Sequence, residues 1–145
     1  MMVSTKGRYA LRVMIELARS PREEYRPLKE MAKEQNLSIK YLEAIIAVLV
    51  KAGFVDGMRG KGGGYRLTRD PDSYTVWDIL TLTEGTLVPV ACLETGSEPC
   101  ARASSCATLP MWTKLNEVIR DYLSSVKLSD LVKQANLLEE KCPAD

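Results

Sequence analysis

Apolar residues recur along this chain at helical spacing, switch once to a short extended pattern, and then return to helical spacing. Tyr9, Ala10, Val13, Met14, Leu17 and Ala18 form the stripe of an amphipathic helix that starts at a Ser4 or Thr5 cap and runs to about Arg19. A polar loop, Ser20–Arg26, follows. Pro27 is expected at the first position of a second helix, where its fixed φ fits and its missing N–H costs nothing. Leu28, Met31 and Ala32 are its inner residues, and Asn36 can end it. Ser38 caps a third helix, whose apolar face is Leu42, Ile45, Ile46 and Leu49. Gly53 falls where a left-handed residue ends such a helix.

The extended pattern comes next: a strand Phe54–Met58, a basic glycine-rich tip Arg59–Gly64, and a strand Tyr65–Thr68. After the turn Asp70-Pro71-Asp72, Thr75 is expected to cap a fourth helix. Val76, Ile79, Leu80 and Thr83 make its inner side, Trp77 lies nearby, and Gly85 stops it. Periodicity dissolves from Thr86 to Leu109. Pro110 then opens a long helix in which Trp112, Leu115, Ile119, Tyr122 and Val126 are spaced 3, 4, 3 and 4, a short heptad seam. Such a seam packs on its own core or pairs with its twin across a two-fold axis. Ser129 is expected to cap a last short helix, with Glu139–Asp145 frayed.

Helix, turn, capped helix and basic hairpin outline a mainly α fold: a winged helix-turn-helix with a small two-stranded β wing, followed by a long dimerisation helix. The organisation expected is residues 1–84 as a DNA-binding unit, 85–109 as a cysteine-containing loop, and 110–145 as dimerisation helix and tail. Ser38, Lys40 and Tyr41 start the third helix, the part that reaches base edges in a major groove. Arg59 and Lys61, beside the flexible Gly62 and Gly63, can meet phosphates or enter a minor groove. A plain helix–hairpin unit with a solvated basic turn is the competing reading.

Charge distribution supports the DNA reading more than net charge does. The chain of 145 residues has a formal charge of +1. Residues 1–70 hold 14 Lys and Arg against 8 Asp and Glu, whereas residues 71–145 hold 6 against 11. A basic front and an acidic rear fit a nucleic-acid module joined to a sensing or assembly module. Lys6, Arg8 and Arg12 crowd the start of the first helix, where like charge opposes the helix dipole, so an anionic partner is expected: DNA phosphate or a neighbouring subunit's acid. Solvated surface charge is the alternative.

There is no histidine, which removes Ser/His and Cys/His catalytic pairs and the commonest metal ligand. Gly60–Gly64 leads into a strand and not a helix, so it is not a phosphate-binding loop. An enzyme is not expected. No run is apolar enough to span a membrane and the first residues lack a secretory pattern, so a soluble cytoplasmic protein is expected. Cys92, Cys100 and Cys106 are spaced C-x7-C-x5-C in the aperiodic loop, and Cys142 lies in the tail. Wide spacing without histidine argues against structural zinc. An iron–sulfur cluster, reactive thiols and plain structural cysteines all remain compatible with the spacing.

Four stretches carry a resemblance: Ser4–Leu11, Leu37–Glu43, Arg59–Tyr65 and the loop cysteines. Together they resemble the IscR-like family of bacterial winged-helix transcription regulators, over about residues 1–133. The resemblance implies a homodimeric repressor or activator that binds a double-stranded DNA operator and controls cluster-assembly or related stress genes. It also implies that Cys92, Cys100 and Cys106 hold an iron–sulfur cluster, two-iron by preference and four-iron as the other form. Leu109 stands where the family's histidine ligand is expected, and Gly7 and Arg8 stand where related sensors supply an acid. Glu94, Glu98, Thr108, Cys142, a partner residue or a small exogenous ligand are left for the fourth position. Glu43, by the same resemblance, discriminates between operators; it can accept from cytosine N4 but is costly beside other bases. A cluster-free regulator sensing thiol redox state or cysteine and sulfur metabolism is the second reading. A redox enzyme or electron carrier is the third, disfavoured because nothing looks like a substrate or electron-partner site.

Overall fold

The computed structural model describes residues 2–142. Its elements run α1 (Thr5–Arg19), α2 (Leu28–Gln35), α3 (Ile39–Lys51), β1 (Val55–Met58), β2 (Gly64–Leu67), α4 (Val76–Glu84), α5 (Leu109–Ser125) and α6 (Leu128–Lys141), with short 3-10 turns at Pro71–Ser73, Ala91–Leu93 and Ala103–Ser105. The strands pair antiparallel in the register Val55↔Leu67 to Met58↔Gly64. One core gathers α1 to α4: Val13, Met14, Met31, Leu42, Ile45, Leu49 and Ile79 are fully buried, as is Leu128 of α6. This is the winged helix-turn-helix expected from the pattern, mainly α with one small sheet.

Several local expectations are revised. Pro27 is the N-cap of α2 rather than its first residue, with extended backbone. The 3-10 turn over Pro71–Ser73 tightens the Asp70 turn, and the Asp70 carboxylate accepts from Asp72 N–H at 2.9 Å. Ser129 does not cap the last helix. Asp130 does so, its carboxylate accepting from the Lys127 N–H at 2.9 Å, while the Ser129 hydroxyl donates to Asp72. That helix is 14 residues long and packs back along α1. Glu139 lies within it and pairs with Arg19, so its carboxyl is held below the ordinary carboxylate range, first by that hydrogen bond. A depressed pKa in the folded state means this tie is present at neutral pH and is lost as pH falls through the carboxylate range. Of the end expected to fray, residues 143–145 lie outside the described residues.

The heptad seam divides into two stripes. Trp112, Asn116, Ile119 and Leu123 are half-buried, and Leu123 packs with Trp77 against the Val76, Leu80 and Leu87 cluster. Met111, Leu115, Val118 and Tyr122 form the neighbouring stripe and are 53%, 39%, 50% and 66% exposed. The expected seam mixed the two because they lie one residue, about 100°, apart on the helix. Val126 falls just beyond α5, where its carbonyl accepts from Val76 N–H at 2.9 Å.

Tyr74 pins the wing to the core. Its ring is fully buried, and its hydroxyl donates to the Phe54 carbonyl at 2.7 Å and accepts from the Arg69 N–H at 3.2 Å. Tyr74→Phe keeps the ring and removes both bonds; the Phe54 carbonyl still accepts from Thr68, but the Arg69 N–H loses its acceptor, so the change should cost about 1–2 kcal/mol. The expected result is a lower urea midpoint with unchanged m-value; an unchanged midpoint would remove this role.

A candidate nucleic-acid interface and the cysteine loop

The helix-turn-helix is made by two backbone devices. Asn36 adopts φ +54°, closing α2 and turning the chain. Two residues later the Ser38 hydroxyl accepts from Tyr41 N–H at 3.1 Å and starts α3. With Leu42, Ile45, Ile46 and Leu49 buried, the opposite stripe of α3 is fixed outward. Lys40, Glu43, Ala44 and Ala47 are all exposed on it. Tyr41 is placed differently: it is half-buried, edge-on to Tyr9 with ring centroids 5.9 Å apart. Tyr41 therefore braces the first turn of α3 against α1.

The wing rises beside that stripe. Arg59, Gly60, Lys61 and Gly62 at its tip are exposed, and Gly63 N–H donates to the Gly60 carbonyl at 3.0 Å. Gly62 has φ +77°, a conformation that side chains rarely adopt. Gly63 and Gly64 are required by contact: a Cβ at either would drive into a backbone carbonyl, that of Met58 or Arg26 respectively. The second of these approaches lets Tyr65 exchange two backbone hydrogen bonds with Arg26, at 2.8 and 2.9 Å. The wing is thereby tied to Arg26, two residues before α2, which fixes its position relative to α3.

Arg12 joins this surface, although sequence reasoning noted it only as one of the first helix's cations. Its guanidinium lies 4.9 Å from the Tyr9 ring centre and donates to the Gln35 carbonyl at 3.5 Å, at the corner between α2 and α3. The start of α1 receives a carboxylate from within the chain. Glu84, the last residue of α4, accepts from the Ser4 N–H at 3.0 Å and the Ser4 hydroxyl at 2.6 Å. A carboxylate there interacts favourably with the helix dipole. Gly7 makes the approach possible, since a Cβ at that position would collide with the Glu84 carboxylate. The signal was the glycine inside the first turn of an amphipathic helix; its partner, 77 residues on, could not be read locally.

Cys92 and Cys100 are exposed on the loop, Cys106 is half-buried beside the start of α5, and none is in a disulfide. Among the described residues no three Cys, Asp or Glu side chains are gathered as a metal site. The donor chemistry nevertheless suits a thiophilic group: three unpaired, accessible thiols on one segment. Cys106 is biased toward thiolate. Its Sγ lies 3.4 Å from the Thr108 hydroxyl, and this bond, then the Thr108 and Leu109 backbone, lowers its pKa. Thr108→Val should shift the pH–rate profile for alkylation of Cys106 to higher pH, read by peptide mass spectrometry; an unmoved profile would exclude the hydroxyl as the cause.

Residues 3–134 match the Rrf2 family, described as iron-dependent transcriptional regulators. The chain belongs to the Rrf2 family. It is 40% identical over 131 residues to the HTH-type transcriptional regulator CymR of Bacillus subtilis, covering 90% of this chain and 89% of that protein. To the HTH-type transcriptional regulator IscR of Xenorhabdus nematophila it is 34% identical over 139 residues, covering 96% and 84%. Among solved structures, CymR, the global cysteine regulator of B. subtilis, superposes with a TM-score of 0.75 at 37% identity, over 92% of this chain and 98% of that one. This Rrf2 chain is accordingly a DNA-binding transcription regulator and not an enzyme. No helix among its described residues is long and apolar enough to cross a membrane.

Proposed function

We propose that this Rrf2 protein is a homodimeric cytoplasmic regulator whose operator affinity is set by an iron–sulfur cluster held by Cys92, Cys100 and Cys106. The observation that carries the reading is the set of three unpaired thiols on the one loop that joins the winged unit, at Gly85, to α5, at Leu109. When bound, the cluster would supply a redox- and iron-sensitive link across that loop. Lys40 and Glu43 on α3 would meet base edges, with Ser38 setting the helix start and Tyr41 bracing it. Arg59 and Lys61 would hold phosphate or the minor groove, with Gly62 and Gly63 shaping the tip; Arg12 would add a contact beside α3. The exposed stripe Met111, Leu115, Val118 and Tyr122 would pair with its twin, placing two recognition helices for two half-sites. Genes of cluster assembly or a related stress response are the proposed targets.

A second reading has its own support. The likeness to the global cysteine regulator, and the absence of a gathered ligand set among the described residues, favour a cluster-free sensor of thiol state or sulfur metabolism. Visible absorption with iron and sulfide content, on anaerobically purified protein, separates the two. Brown protein with near-equal iron and sulfide, bleached by Cys92→Ala, supports the cluster. Colourless protein after reconstitution with iron and sulfide removes it and leaves the thiol reading. The DNA-binding half is scored independently, by gel shift and its salt dependence.

A further inference from the structure

Beneath the cysteine loop is a cavity of about 390 Å³ to which DNA binding and the three thiols give no role. Its walls are α4, through Trp77 and Thr81; α5, through Asn116 and Arg120; and the loop, through Leu87 and Glu94. The Arg120 guanidinium lies over the Trp77 ring at 5.4 Å. It pairs with no carboxylate within 4.0 Å among the described residues, and Glu94 pairs with no cation. The Thr81 hydroxyl is buried and makes no hydrogen bond. Thr83, on the same helix, shows the ordinary solution, its hydroxyl donating to the Ile79 carbonyl at 3.2 Å. A buried hydroxyl without a partner costs free energy and calls for an explanation, of which a ligand atom is one.

We infer that this cavity binds a small α-amino acid as an effector, its carboxylate on Arg120 and its ammonium on Glu94. The inference rests on the regulator reading and extends it. The volume falls within the roughly 300–1,000 Å³ of small-molecule sites. One unpaired cation and one unpaired anion suit a zwitterion. A diamine would leave Arg120 facing like charge, and a dicarboxylate would do the same to Glu94. Trp77 and Leu87 offer apolar wall for a short side chain, and Thr81 lines the same cavity.

The position explains how occupancy would be transmitted. The α4 wall ends at Glu84, which caps α1 through Ser4; the α5 wall carries the stripe assigned to the twin subunit. A ligand held between the two walls favours one angle of α5 against the winged unit. In a dimer that angle sets the distance between recognition helices, which must match half-sites about 34–36 Å apart. The ligand shifts DNA affinity only as far as it prefers one of those arrangements.

The test is thermal unfolding of the 145-residue chain, reduced and chelator-treated, with each of the twenty standard amino acids in turn. At about a hundredfold excess over Kd, one or a few should raise Tm by roughly 5–10 °C. The methyl ester and the N-acetyl derivative of the active compound should not. Arg120→Gln and Glu94→Gln, both at exposed positions, should each abolish the shift while leaving the unliganded Tm in place. No shift from any of the twenty overturns the inference. So does an equal shift from the ester, or a shift that survives both substitutions. Gel shift of the same unliganded protein on DNA is scored separately, so failure of the effector site and failure of the regulator reading give different results.

Discussion

Val118→Asp should convert a dimer of twice the 16.1-kDa chain mass into a monomer, and cut affinity for a two-half-site operator by roughly 10²–10⁴-fold. Helix α5 has no fully buried residue although it is 17 residues long. One stripe is half-covered by α4 and the other, Met111 to Tyr122, faces solvent. Val118 lies at its centre, 50% exposed, so a charge there costs the monomer little. Buried between two copies, the same carboxylate would meet its own symmetry mate in an apolar seam and be strongly penalised. The affinity loss follows because two linked half-sites become two separate binding events. Sedimentation equilibrium and anisotropy titration are the measurements. A variant that remains dimeric with full affinity would show that α5 does not form the seam.

The second large effect is expected at the wing. Arg59→Ala should weaken operator binding by about 1–3 kcal/mol, roughly 5- to 150-fold, and lower the slope of log K against log salt by about one. Arg59 is exposed at a tip whose backbone is held by the Gly60–Gly63 turn and whose base is tied to Arg26, so the side chain is presented at little ordering cost. Lys61→Ala should act in the same direction, and the double variant should lose a slope of about two if both meet phosphate. A loss confined to particular operator sequences, with the slope unchanged, would instead mark Arg59 as a minor-groove reader. No loss at all would detach the wing from DNA. Tm should not move in either variant, because neither residue touches the core.

The fold was legible where the signal was local. The Ser38 and Thr75 caps, the inner faces of α1, α3 and α4, and the glycine-rich hairpin all depend on residues within one or two turns of each other. Helical periodicity and capping report that range. Lys40, Arg59 and Lys61 were proposed on those signals and Glu43 on the family resemblance, and all four stand exposed, on one helix stripe and one wing tip. Boundaries were weaker: Pro27 and Ser129 are both near helix starts but do not hold the positions their residue types suggested.

The chain's own sequence therefore determined a winged helix-turn-helix, a basic wing tip, a cysteine-bearing loop and a long amphipathic helix. Those properties follow from side-chain period, turn chemistry and charge, and each is written within a short window. Tertiary structure alone decided which of two adjacent stripes on α5 is left uncovered, because packing on α4 covers one of them. It also turned Tyr41 inward against Tyr9, brought Glu84 onto the start of α1, ran α6 back along α1, and set unpaired Arg120 and Glu94 around one cavity. Each of these joins residues far apart in sequence, and no local preference encodes which distant surface a side chain will meet.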